Sequence, residues 1–164
     1  MNNDRKKILA VLVILILVFF RLIPHPPNFT PILAISVFSG IKFKSNLFSY
    51  FVPVLAMFLS DVIIGFHSGM YLTYATLIIA AAVSKRFNNI NSAALSSSFL
   101  FFLITNFHVW VISSTYPKTL LGIIECYTLA LPFFAMTLLS TFFFTYSLFY
   151  GFSYLSSMHL YQKI

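Results

Sequence analysis

Chemistry in this chain must be done with very little: 164 residues carry three acidic side chains, four histidines and one cysteine. The acids are Asp4, Asp61 and Glu125. No two of these acids and histidines stand at the i, i+4 spacing that sets paired metal ligands on one helix face. The sequence contains no H-E-x-x-H, no nucleophile-elbow G-x-S-x-G, no phosphate loop and no dinucleotide fingerprint. No catalytic residue, resident metal or cofactor is therefore expected, and the chain does not read as an enzyme. His25, His67, His108, Asp61 and Glu125 have the ligand types that several divalent ions accept, but nothing in their spacing calls for an ion. A lone Cys126 leaves no partner for an internal disulfide or a cysteine-based zinc site.

What these residues can do is bind. Asp61, Asn106 and Glu125 are candidate contacts for a small molecule, with the rings of Trp110 and Tyr127 over it and His25, Asn28 and His67 beside it. Two carboxylates would favour a cationic or amine-bearing ligand. Each residue also has a plainer reading. Asp61 can pair with Arg21 across a bundle, Asn106 can bond a neighbouring helix, and Trp110 can anchor at a membrane interface. His25 and His67 read equally well as interfacial loop residues, Glu125 as solvated, and Lys118 as a cap or snorkelling side chain.

The elements that position them follow from composition. The chain is 60% hydrophobic and 8% charged, whereas a soluble domain carries about a quarter charged residues. Lipid must cover much of such a surface. A crossing helix needs roughly 20 apolar residues, which leaves room for about six in one transmembrane domain spanning residues 1–164. The first predicted helix runs from Ile8 to Ile23, as an uncleaved segment because no small-residue cleavage site follows it. It stops at Pro24, Pro26 and Pro27. A short second helix begins with Thr30 as its N-cap and Pro31 at its first position, and ends near Gly40. The third spans Leu47 to Phe66, the fourth Met70 to Ser84, and the fifth Ser92 to Ile112. The apolar stretch after Thr119 is too long for one crossing. Pro132 is expected to divide it into a half-helix or surface helix (Thr119 to Leu131) and a sixth crossing (Pro132 to about Tyr154).

Charge orients this arrangement. With the N-terminus inside, Arg5, Lys6, Lys7, Lys42, Lys44, Lys85, Arg86 and Lys163 fall on the cytoplasmic side, against Arg21 and Lys118 outside. That asymmetry satisfies the positive-inside rule loop by loop, and it accounts for the net charge of +7 without invoking nucleic acid. Both termini are then cytoplasmic. The notable polar residues fall in the outer half, as expected of a pocket open to the outside, because an ionisable group in a membrane helix generally faces a cavity or a partner.

The run RLIPHPPNFTPI (21–32) resembles the N-terminal signature of a family of uncharacterised bacterial membrane proteins regarded as transporters. The run ITNFHVW (104–110), then YPKT (116–119), Gly122, Cys126, Tyr127 and LPFF (131–134), resembles a second signature of the same family. His108 departs from that pattern, which has glycine there. In size and topology the family is similar to the substrate-binding S components of energy-coupling factor (ECF) transporters, all-α bundles of six helices. The resemblance implies a bacterial inner-membrane protein that binds a vitamin-like metabolite in an outward pocket. It also implies a partner module, made of a transmembrane scaffold and ATPases, that supplies the energy. The S components' Ala-x-x-x-Ala docking pattern on helix one is missing, since that helix has only Ala10. Either the small residues of the fourth helix serve instead, or the coupling is different or absent. A structural or assembly subunit of a larger membrane complex is the alternative.

Overall fold

In the computed structural model, which describes residues 3–161, all regular structure is helical. The described residues form six helices and no strand: α1 (Asn3–Phe20), α2 (Ile32–Lys42), α3 (Asn46–Ile64), α4 (Met70–Ser84), α5 (Ile90–Ile112) and α6 (Leu120–Tyr161). Lys163, counted above with the cytoplasmic charges, lies outside the described residues. Three helical stretches, Asn46–Ile64, Ile90–Ile112 and Leu120–Ser157, are long and apolar enough to cross a membrane. Large apolar side chains such as Leu47, Tyr71, Leu120 and Leu121 are more than 70% exposed, an arrangement suited to lipid and not to water.

α2 is the central element. Every residue from Ile32 to Gly40 is buried, because α3, α4, α5 and α6 all pack around it. At 1.5 Å per residue its 11 residues reach only about 16 Å, roughly half the hydrocarbon thickness. Small residues bring its neighbours close. A Cβ on Gly40 would sit 2.4 Å from the Ala81 carbonyl oxygen and 2.9 Å from Ser84 Cβ, so α2 and α4 touch backbone to backbone. Ala80, Ala81, Ala93 and Ala94 are buried along α4 and α5, and Ser84 and Ser97 hydrogen-bond between these helices at 3.1 Å. α1 lies outside this cluster, against α3 and α6.

Several sequence expectations need correction. α6 runs unbroken through Pro132 for 42 residues, so Thr119–Leu131 and Pro132–Tyr154 are not separate helices. Proline removes one backbone bond at a cost of about 3 kcal/mol. Opening the chain would strand several more polar groups in an apolar setting, each costing several kcal/mol. Packing holds the helix on both sides of the proline: Cys126 Sγ donates to the Asn106 carbonyl at 3.6 Å, and the Phe134 ring stacks on Phe102 at 4.5 Å. Pro53 is carried inside α3 in the same way. The first helix ends at Phe20, three residues early, and continues as tight i, i+3 turns through Ile23. The cap of α2 is Pro31, not Thr30, and no side chain caps it. α5 begins at Ile90, where Asn89 accepts the Asn91 amide at 2.8 Å.

Candidate functional site

The turn where α1 ends places Arg21 beside α3. Its Nη1 donates to Asp61 Oδ1 at 2.5 Å, to Ser60 Oγ at 2.5 Å and, more weakly, to the Met57 carbonyl at 3.5 Å. The second Asp61 oxygen accepts the Tyr74 hydroxyl of α4 at 2.7 Å. Asp61 is fully buried, while the Arg21 side chain keeps 14% exposure. The ion pair thus ties α1, α3 and α4 together at one end of the bundle. The opposite end carries the basic loops, where Lys85 Nζ donates to Asn46 Oδ1 at 2.7 Å and to the Lys44 carbonyl at 3.3 Å.

From Arg21 the chain does not climb away from the bundle; residues 22–31 fold back over it. The Phe29 amide closes a turn onto the Pro26 carbonyl at 3.0 Å. Asn28 adopts a φ of 62°, a left-handed conformation that asparagine tolerates better than most residues. Its carbonyl accepts Ser140 Oγ from α6 at 3.2 Å. Phe20 and Phe29 clasp Phe144 of α6 at ring distances of 4.8 and 5.6 Å, and His25 stacks near Phe20 at 6.4 Å.

Under this strap is a cavity of about 580 Å³. Its roof is Arg21 to His25, Asn28 and Thr30. Its walls are Ile32 and Leu33 of α2, Met57 and Ile64 of α3, Thr73 and Leu77 of α4, Phe101 of α5, and Thr137 and Ser140 of α6. The size lies within the range of small-molecule sites, about 300–1,000 Å³. Polar groups gather at the strap and on one face of α6, where Thr137 and Ser140 are three residues apart. Phe101, Leu77, Met57 and Ile64 make an apolar side.

Of the eight residues singled out from the sequence, His25 and Asn28 line this cavity. Asp61 stands behind Arg21 and does not reach the surface. Asn106 donates to the Phe102 carbonyl of its own helix at 2.8 Å. Tyr127 donates to the Leu103 carbonyl at 2.6 Å, locking α6 onto α5. Trp110 Nε1 donates to the Pro117 carbonyl at 3.0 Å, and Lys118 donates to the carbonyls of Trp110 and Ser113, so these residues close the turn between α5 and α6. Glu125 is exposed on α6, and His67 is exposed in the turn before α4. None of Asp61, Asn106 and Glu125 lines this cavity. Among the described residues no group of three or more His, Cys, Asp or Glu could hold a metal ion.

Sequence reasoning passed over Thr30, Thr73, Thr137 and Ser140. The 137, 140 spacing on one face was a usable signal, but such hydroxyls commonly bond back to their own helix. Thr73 and Thr137 do so here, to the Gly69 and Phe133 carbonyls at 3.2 and 3.0 Å.

No curated protein and no solved structure is significantly similar to the chain. Residues 1–163 match the family of unknown function DUF6580, and the chain belongs to that family.

Proposed function

We propose that this protein is a multi-pass component of the bacterial inner membrane that binds a small, vitamin-like metabolite in the cavity under the 21–31 strap. Uptake would proceed with a separate energising module, in the manner of ECF-type scaffold and ATPase partners. The observation that carries the reading is the strap itself. Non-helical backbone at membrane depth is tolerated where it is buried in protein or lines a cavity, and an ionised arginine there marks a ligand path or a partner. Residues 21–31 fill the depth that the short α2 leaves open, and they line a cavity of metabolite size. The Lys85 end is cytoplasmic by the positive-inside rule, so the termini are inside and the cavity faces outward.

The test is ligand-dependent stabilisation of the purified protein in nanodiscs, screened against vitamin-sized metabolites, together with uptake of any hit in a deletion strain. Thr73→Phe and Thr73→Trp project bulk into the cavity from a half-buried position. They should abolish the stabilisation by ligand while the ligand-free protein melts within a few degrees of wild type. A screen without hits, with uptake unchanged on deletion, sinks the reading.

One observation favours an assembly role instead. Glu125 is exposed on α6 among the exposed Leu121, Ile124 and Leu129, and an acid on an apolar helix face is suited to a protein partner. A stoichiometric partner lost on Glu125→Ala, with no ligand found, would mark that role.

A further inference from the structure

Resting on that binding reading, we infer that the cavity takes a carboxylate-bearing amphipathic ligand, with its anionic head on Arg21 and its apolar body against Phe101, Leu77 and Met57. The acid content of the sequence suggested a cationic ligand, and the geometry points the other way. Neither candidate carboxylate faces the cavity. Asp61 is fully buried with one oxygen on Arg21 and the other on Tyr74, and Glu125 is not among the lining residues. What faces the cavity is a cation and hydrogen-bond donors.

Arg21 has five N–H donors, and every bond it makes within the described protein leaves from Nη1. Nε and Nη2 donate to no described residue. Neither is among the buried polar atoms left without a partner, which are Ser98 Oγ and Thr145 Oγ1. The Nε–Nη2 edge is therefore accessible to solvent, on a residue that lines the cavity. That edge presents two parallel donors, the fork that engages a carboxylate through both oxygens. Asp61 and Ser60 hold the other side of the guanidinium, so its plane is fixed before a ligand arrives, which lowers the ordering cost of binding. Asn28 adds a side-chain amide with no bond to a described residue, on a backbone pinned by Ser140. An amine would meet the guanidinium charge instead, with Asp61 sealed off behind it.

The experiment uses three probes of one skeleton: phenylacetate, phenylacetamide and phenethylamine. Each is titrated into the full chain in nanodiscs, with empty nanodiscs as the control for partitioning into lipid. Phenylacetate should bind at least about tenfold tighter than the amide, the scale of a charge-assisted bidentate contact, and phenethylamine should bind weakest. Arg21→Lys keeps the charge but loses the fork. It should cut phenylacetate affinity about tenfold and leave the amide unchanged. The double variant Arg21→Gln with Asp61→Asn removes both charges together and should erase the preference for the carboxylate. If these variants fail to fold, the wild-type probe order decides alone. Equal or tighter binding of the amine or the amide overturns the carboxylate assignment and leaves the cavity as a binding site. No binding of any probe to the wild type at millimolar concentration overturns the assignment and counts against the binding reading with it.

Discussion

Removing the carboxylate of Asp61 should cost far more than removing the whole ion pair, and the structure sets the scale. Asp61 is fully buried and accepts from Arg21 at 2.5 Å and from Tyr74 at 2.7 Å. Breaking a buried pair by deleting one partner costs about 3–5 kcal/mol, because the survivor is left charged and unpaired. Arg21 keeps 14% exposure, so part of its charge is solvated through the cavity and the low end, about 3 kcal/mol, applies. The stranded Tyr74 hydroxyl adds about 1 kcal/mol. In a chain of this size each kcal/mol shifts the melting temperature by about 2–4 °C. Asp61→Ala should therefore melt roughly 8–16 °C below wild type.

Replacing both partners, as Arg21→Met with Asp61→Leu, leaves no buried charge, and such replacements in other proteins are often neutral or better. The double variant should melt within about 4 °C of wild type once the Tyr74 loss is counted. A cycle of Arg21→Met, Asp61→Leu and the double variant by thermal unfolding in nanodiscs should then show the double losing far less than the sum of the two single losses. Hydrogen exchange across residues 21–31 supplies an independent readout, because the pair anchors the strap at its first residue. Asp61→Ala should speed exchange there and leave the α4–α5 contact near Ser84 and Ser97 protected. If Asp61→Ala melts within about 2 °C of wild type, or the double variant shows the sum of the single losses, the pair does not hold the strap.

Three further outcomes follow from other contacts. Gly122→Ala would place a Cβ 2.0 Å from the Pro117 carbonyl oxygen and Gly40→Ala one 2.4 Å from that of Ala81; both contacts are with backbone, so each variant should lose about 1–3 kcal/mol in thermal unfolding. Gly151→Ala, whose Cβ meets nothing within 4 Å, should melt at or slightly above the wild-type temperature and serves as the control. Pro132→Ala should keep the fold, because α6 already runs helically through that residue, and should slow amide exchange near Thr128 to Pro132; a collapse of the fold would mean that the proline is needed to turn the chain. Topology can be read on a Cys126→Ser background with Lys44→Cys and Lys118→Cys, using an impermeant maleimide on intact cells. Lys118→Cys should label and Lys44→Cys only after permeabilisation, and the reverse would invert the orientation.

The residues that made the fold legible are those whose effect is local. Gly69 before Met70 and Lys85 after Ser84 gave α4 its limits to the residue. Pro24, Pro26 and Pro27 marked the end of α1 to within a turn, and the pairing of Asp61 with Arg21 was one of two readings of those residues. Pro132 misled, because the stretch after Thr119 is too long for one crossing and the proline offered the place to divide it. In an apolar environment the alternative is worse than the proline, and packing of Cys126 and Phe134 on α5 settles the matter. The central burial of α2 was not legible either. Its sequence differs little in hydrophobicity from its neighbours, and only the assembled contacts show which helix is enclosed.

The same solvent argument explains why the candidate site moved. In a water-soluble protein an asparagine or tyrosine in an apolar stretch asks for a special reason. In a bundle facing lipid, each polar side chain must find an acceptor nearby, and helix carbonyls are the nearest ones. Asn106 takes Phe102, Tyr127 takes Leu103, Thr76 takes Leu72 and Thr105 takes Phe101, all within 2.8 Å. Most polar residues on helices here are satisfied in this way, Ser98 and Thr145 excepted, and say little about ligands. The informative residues are those whose donors are not consumed by backbone, and they sit where the backbone leaves the helix. Arg21 and Asn28 meet that condition on the 21–31 strap: both line the cavity, and each is held by the protein through other atoms. Three helical stretches suit this chain to lipid, and on the proposed reading a ligand is recognised from the 21–31 strap, where donors of Arg21 and Asn28 are not consumed by the backbone.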